Sequence, residues 1–307
     1  MRPIITLFLL SSSTALAADV DRVPEDFATI AEAVERGAAP IIEVGPGTWT
    51  GAAITRPVAL VGNDSVIASG PDIRRITAGF TLPAAASGTT ISGFAFDCRG
   101  DGLDLGVYGS AKRLKGVADR VTVSDNTFHS CVQGVTNAGR PTRKECDDSA
   151  VDGGSYWTVN GNIFDGFATQ NSNGATGGGS GVVVYNATFA DIFGNAFVGR
   201  VEDATTFSTS GINVAGCIDC TIADNSFEVG GGRYHWAAVS NFGALAHGAV
   251  ASRGLLLVDN DATADSTPAG VNFRSYDSFD TGWDGNHGFG WVDHSMCGDA
   301  TIDVFVD

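Results

Sequence analysis

The chain has 307 residues, 18 Lys+Arg against 35 Asp+Glu, a formal net charge of -17, 41 Gly and 43% hydrophobic residues, and only 17% of it is charged. Such a content supplies a core and excludes general disorder, while the scarcity of basic residues excludes the electrostatic footprint of a nucleic-acid-binding domain. The acidic field favours a neutral partner, or an anionic one assisted by a metal, over a bare polyanion.

Arg2, the apolar run Pro3 to Leu10 and the small-x-small site Ala15-Leu16-Ala17 read as a secretory signal peptide over residues 1–17. The run is far short of the roughly 20 residues that cross a bilayer, and no later stretch is a membrane-span candidate. The mature chain, 18–307, is expected to be one domain, secreted or periplasmic. It holds all six cysteines (Cys98, Cys131, Cys146, Cys217, Cys220, Cys297), an even count compatible with three disulfides. Cys217-Ile218-Asp219-Cys220 lacks a second C-x-x-C and reads as a local disulfide or two packed thiols rather than a zinc or redox centre.

Phe27, Ile30 and Val34 lie at helical spacing between Pro24-Glu25-Asp26 and Gly37. They predict a short helix that caps an open end of strands. The stretches Ile41 to Trp49 and Pro57 to Gly62 follow as the first coils. Through the middle runs a repeat: an aliphatic residue, two small or polar residues, Asn, one residue, then Phe. Its copies are Val123 to Phe128, Val159 to Phe164, Ile192 to Phe197 and Ile222 to Phe227, with degenerate copies at Ile91 to Phe96 and Leu257 to Ala262. From Asn126 to Asn260 the Asn residues are 36, 33, 30 and 35 apart, within the range of a solenoid. Apolar and polar positions alternate with period two, so the coils are strands. Asn tolerates a left-handed corner, and corners stacked about 4.8 Å apart let its amide form a ladder. The Phe residues should stack likewise.

A second strand lies about ten residues ahead of each Asn corner, at Gly181 to Val184, Gly211 to Val214 and Gly270 to Phe273. By period two, Val182/Val184, Ile212/Val214 and Val271/Phe273 face inward. Long polar insertions at Gly139 to Ser155 and Ala168 to Ser180 read as projecting loops. The tail, with Trp283, His287, Trp291 and His294, departs from the repeat and reads as cover for the last open coil.

The entry Phe27-Ala28-Thr29-Ile30 through Pro46-Gly47-Thr48-Trp49 to Leu60-Val61-Gly62 resembles that of secreted right-handed parallel β-helix proteins of the pectate-lyase-like superfamily, and the likeness runs from about Phe27 to Arg274. It implies an all-β fold, a right-handed parallel β-helix of about nine coils with the short N-terminal capping helix and a C-terminal cap over about 276–307. The signatures of the polygalacturonase-like, mannuronan epimerase and pectin methylesterase branches are absent. The fold implies a carbohydrate-active protein with a polysaccharide partner, most concretely a polysaccharide lyase acting by β-elimination on a uronate-containing glycan, or else a glycoside hydrolase. The alternative is a non-catalytic β-helix protein: a glycan-binding or adhesive surface protein, or a periplasmic accessory factor. The pattern carries no oligomeric state.

Three sets of residues could carry the chemistry. In the Gly230-Gly231-Gly232 loop, Arg233 would neutralise a uronate carboxylate, His235 or Tyr234 would take the proton, and Trp236 would stack on a sugar ring. Asp147, Asp148 and Asp152 in the acidic insertion would hold Ca²⁺. Tyr185, Asn213, Asn272 and Arg274 are expected outward on adjoining coils, as donors to sugar hydroxyls or a carboxylate.

Overall fold

The computed structural model describes residues 19–100, 102–138, 153–170, 179–201, 209–230, 236–241, 252–262, 273–276, 278–279, 281–284, 286, 291–294 and 302–304. Every ladder between its strands is parallel, with the right-handed winding that parallel crossovers take. Each coil contributes a rung to three faces of a parallel β-helix. The nine-strand path from Ala52–Ala53 to Trp291–His294 forms the third sheet, and the first and second sheets join through the long strands Ala59–Ser69 and Thr90–Asp97.

The winding begins at the strand Val20–Val23, which pairs with Ile41–Val44. Between them lies the expected helix, Ile30–Arg36, started by the Thr29 hydroxyl, which accepts from the Glu32 amide at 3.1 Å. Ile30, Ala33 and Val34 are buried and Phe27 is partly buried against the core. Arg56 donates to the carbonyls of Val34 and Ala39, tying the helix to the coil beneath it.

Inside, period two does what the sequence predicts. The first sheet stacks Ile42, Leu60, Ile91, Val123, Val159, Ile192, Ile222 and Leu257 in one buried column. On the second sheet the rings of Phe96, Phe128, Phe164, Phe197 and Phe227 follow each other at 4.7, 4.9, 4.8 and 4.6 Å, nearly parallel. Opposite each ring the third sheet supplies a glycine. A Cβ on Gly134, Gly181 or Gly211 would lie 2.5 Å from a ring carbon of Phe164, Phe197 or Phe227, and Gly79 and Gly106 meet Phe96 and Phe128 in the same way. Where the ring column ends at Ala262, in register with Phe227, the glycine column ends at Ala238, the next residue after Gly211 in that ladder. Large faces small on each coil until both become Ala.

The corner between the first and second sheets carries the Asn ladder. Asn126, Asn162, Asn195, Asn225 and Asn260 are buried. Each donates its backbone N–H and its Nδ2 to the Oδ1 of the next Asn, as Asn162 does to Asn195 at 3.0 and 3.0 Å, and the run continues to Asn286, beyond the repeat seen in sequence. One expectation is corrected here. The left-handed corner is held by the residue before each Asn, namely Asp125, Gly161, Gly194, Asp224 and Asp259, with φ between 50 and 64°. The Asn itself turns inward because its amide has four hydrogen bonds to make, and solvent at the corner would compete for them.

Two disulfides, Cys98–Cys131 across neighbouring coils and the local Cys217–Cys220, staple described residues. Cys146 and Cys297 lie outside them. Beyond Arg274 the strands Thr281–Asp284, Trp291–His294 and Ile302–Val304 still pair in parallel with the coils before them. No helix among the described residues is long and apolar enough to cross a membrane.

Candidate functional site

The third sheet brings part of the expected polar set together and re-orders it. Its register runs Val183, Asn213, Ser240, Arg274, so a whole coil, Trp236–Asn241, stands between the strands of Asn213 and Arg274. They are therefore not on adjoining coils, and Ser240 is the member the sequence reading lacked. That coil carries no Asn-x-Phe close behind it, since its second-sheet rung is the degenerate Asp261–Ala262. Tyr185 sits beside the row, two residues past Val183. Its hydroxyl accepts from Asn213 Nδ2 at 3.2 Å. Burial pushes the Tyr185 phenol up to about 12, with the Asn213 bond opposing, so the group stays protonated at neutral pH.

Three buried side-chain atoms among the described residues lack a hydrogen-bond partner: Thr89 Oγ1, Asn213 Oδ1 and Ser240 Oγ. Two of the three are register neighbours in this row. An unpaired buried polar atom costs about 1–3 kcal/mol, so two side by side on one strand face define a spot that a buried water would relieve. The spot is enclosed, for Ser240 is wholly buried.

The same face is not an open groove towards the N-terminus, as the outward alternation implied. Thr81, Tyr108, Thr136 and Val183 are all buried there. A second apolar cluster, including Ile73, Leu105, Tyr108 and Val132, lies over it with Leu114 of the short helix Ala111–Leu114 against it. The candidate site is thus confined to the coils of Tyr185, Asn213 and Ser240.

Of the other expected residues, Arg233, Tyr234, His235 and Asn272 lie outside the described residues, as do Asp147, Asp148 and Asp152. Trp236 begins a third-sheet strand, in register with Thr209. Among the described residues no group of three or more His, Cys, Asp or Glu could hold a metal ion.

A further row was missed. Asp97, His129 and Asp165 project outward in register from three successive coils of the second sheet. His129 Nδ1 lies 3.2 Å from Asp165 Oδ2, and Arg99 grips Asp97 with bonds of 2.8 and 2.9 Å. The Arg99 guanidinium holds the Asp97 carboxyl below its usual range, against a smaller opposing effect of burial. The Cys98–Cys131 disulfide ties the two coils that carry Asp97 and His129. A signal existed: each member directly follows a Phe of the repeat. A cleft of about 500 Å³ near the N-terminal end, lined by Arg22, Glu25, Glu43 and Asn63, is remote in sequence from both rows, and its Arg22 is engaged with Glu43 at 3.3 Å.

No protein-family profile and no curated protein matches the chain. Among solved structures it is similar to the catalytic domain of a GH87 α-1,3-glucanase in complex with nigerose, at 14% identity over 93% of this chain and 57% of that one, TM-score 0.45. It is also similar to the Streptococcus pneumoniae surface protein and adhesin PfbA, at 15% identity over 89% of each chain, TM-score 0.43. Pectin methylesterase from carrot is a third, at 11% identity over 96% and 90%, TM-score 0.40. The chain spans little more than half the length of the glucanase domain it matches.

Proposed function

We propose that this parallel β-helix is a secreted glycan-handling protein that holds a polysaccharide on its third sheet around Tyr185, Asn213 and Ser240. The observation that carries the reading is the outward pair Tyr185 and Asn213 on adjoining coils, both only partly buried and joined at 3.2 Å, with the enclosed Ser240 next to them in register. An amide oxygen that accepts, an amide that donates and two hydroxyls are the groups that recognise sugar hydroxyls. The pectate-lyase-like opening of the sequence, Phe27 to Gly62, supports the same class of ligand.

These described groups orient a ligand and offer no proton acceptor, which favours binding as their task. β-Elimination is the finer reading. It assigns the acceptor to His235 or Tyr234 and the carboxylate clamp to Arg233, with Trp236 at the start of the adjoining strand and Ca²⁺ at Asp147, Asp148 and Asp152 for an anionic glycan. The test is titration of the mature protein with a panel of neutral and uronate polysaccharides, with and without Ca²⁺, following binding, unsaturated uronate products and new reducing ends. Binding that Asn213→Ala weakens supports the site, and unsaturated products abolished by His235→Ala establish a lyase. Binding untouched by Asn213→Ala and Ser240→Ala removes the third-sheet assignment.

A further inference from the structure

We propose that two consecutive coils, 156–165 and 189–198, form a second ligand surface that takes a linear glycan bearing ammonium groups, the chemistry of a polymer of amino sugars. The inference rests on the reading of the protein as glycan-handling and places this contact away from the third sheet, across the first sheet, its corners and the start of the second sheet.

Six large apolar side chains are exposed among the described residues, and four of them fall on these two coils: Tyr156 at 51%, Ile163 at 44%, Phe189 at 42% and Phe193 at 40%. Apolar side chains scattered singly need no explanation, whereas a concentration of them on one strip marks a contact surface. Tyr156 and Phe189 occupy the same corner of successive coils with φ of 59 and 54°, a conformation bulky residues rarely adopt, and their rings stack 4.9 Å apart. Arg120 lies over the Tyr156 ring at 5.8 Å. Farther along the strip, Phe193 stands in register between Asn160 and Ala223, and Ile163 between Thr127 and Ala196, so smaller neighbours leave both standing out.

Acidic groups are interleaved with these apolar ones. Asp191 and Phe193 flank the buried Ile192 on one strand, and Ile163 and Asp165 flank the buried Phe164 on another. Asp191 is exposed and makes no ion pair among the described residues, while Asp165 shares one oxygen with His129. By register the cations around the strip include Arg120, set over a ring, Arg200 at the far end of the strand Ala196–Val201, and Arg253, in register with Ile218 on the corner beyond Phe189. An ammonium group can sit over an exposed ring or beside a carboxylate, and the strip offers both. The chain's net charge of -17 draws a cationic polymer towards it. Two coils are only about 10 Å wide, which is narrow for the roughly 800 Å² that a protein partner covers and suited to a single polymer strand.

The test is calorimetric titration of the intact protein with a chitosan hexamer, its fully N-acetylated counterpart and a neutral cellulose hexamer. The expected order puts the chitosan hexamer tightest. Its binding should weaken about two- to fivefold with Phe193→Ala or Asp191→Asn, and with added salt, and should be unmoved by Asn213→Ala. Equal affinity for the acetylated and deacetylated hexamers, or wild-type affinity in a Phe193→Ala/Asp191→Asn double variant, overturns the proposal. Loss of binding in Asn213→Ala alone places the ligand on the third sheet and refutes this surface while sparing the function. If no glycan of either panel binds, the function fails with it. Light scattering that shows a dimer dispersed by Phe193→Ala assigns the strip to a second copy and overturns the proposal as well.

Discussion

The pairing of Phe164 with Gly134 can be tested quantitatively, because the molecule performs its own control at Ala262 and Ala238. Phe164→Ala removes a fully buried ring stacked between Phe128 and Phe197, at 4.9 and 4.8 Å, and should cost about 3–5 kcal/mol. Gly134→Ala places a Cβ 2.5 Å from the Phe164 ring and 2.7 Å from the Gly181 carbonyl, and overpacking of that kind should cost about 1–3 kcal/mol. In the double variant the ring clash is gone while the carbonyl clash persists. The two changes should therefore be less than additive, by a coupling of about 1 kcal/mol. Urea unfolding of wild type, both singles and the double, with m-values compared to check for partial unfolding of a repeat array, measures it. Strict additivity, or a Gly134→Ala variant within about 0.5 kcal/mol of wild type, would refute the claim that glycine is there to seat the ring.

Asn195→Ala should destabilise by about 2–3 kcal/mol or more, since it strands the Asn162 N–H and Nδ2 inside the coil; unfolding should show a larger loss than Thr158→Ala on the outer face of the same ladder. The Asp97–Arg99 pair lowers the folded-state pKa of Asp97, so its contribution is present above the usual Asp value near 3.9 and lost as pH falls below it. The pair is largely exposed and screened by solvent, so its contribution is small, and Asp97→Asn should lower the melting temperature slightly at pH 7 and not at all near pH 2. The sequence separations of 33 and 3 imply chain-entropy contributions of about 4 kcal/mol for Cys98–Cys131 and about 2 kcal/mol for Cys217–Cys220. Paired Cys→Ser variants should therefore differ in that order in unfolding midpoint, and equal losses would contradict the loop argument.

How far the sequence could be read follows from what repeats. Interior residues recur because every coil meets the same neighbours, so the Asn, Phe and aliphatic columns were legible from Val123, Asn126 and Phe128 onward, while the cap helix was legible from the helical spacing of Phe27, Ile30 and Val34. The left-handed corner was misplaced by one residue because Asp, Asn and Gly all tolerate that conformation, and only burial shows which of two adjacent residues turns inward. The coil Trp236–Asn241 was missed because its companions Ala238 and Ala262 are the two small residues that end the paired columns. Outward groups such as Ser240 and Arg274 have no period of their own. They became legible only through register, which is a relation between distant segments and is set by loops of irregular length.

The Asn ladder has a direction, and direction in a stack implies an order of assembly. Each Asn, from Asn126 to Asn260, gives its two N–H groups to the coil that follows it in the chain. A coil just laid down therefore presents two open donors at its growing end, and the next segment to be synthesised brings the oxygen that closes them. The finished end, beneath the helix Ile30–Arg36, is the first to be made. Such a chain need not wait for its C-terminus before it begins to wind. It can be completed one turn at a time as it is delivered, with contacts that are always to the coil immediately before.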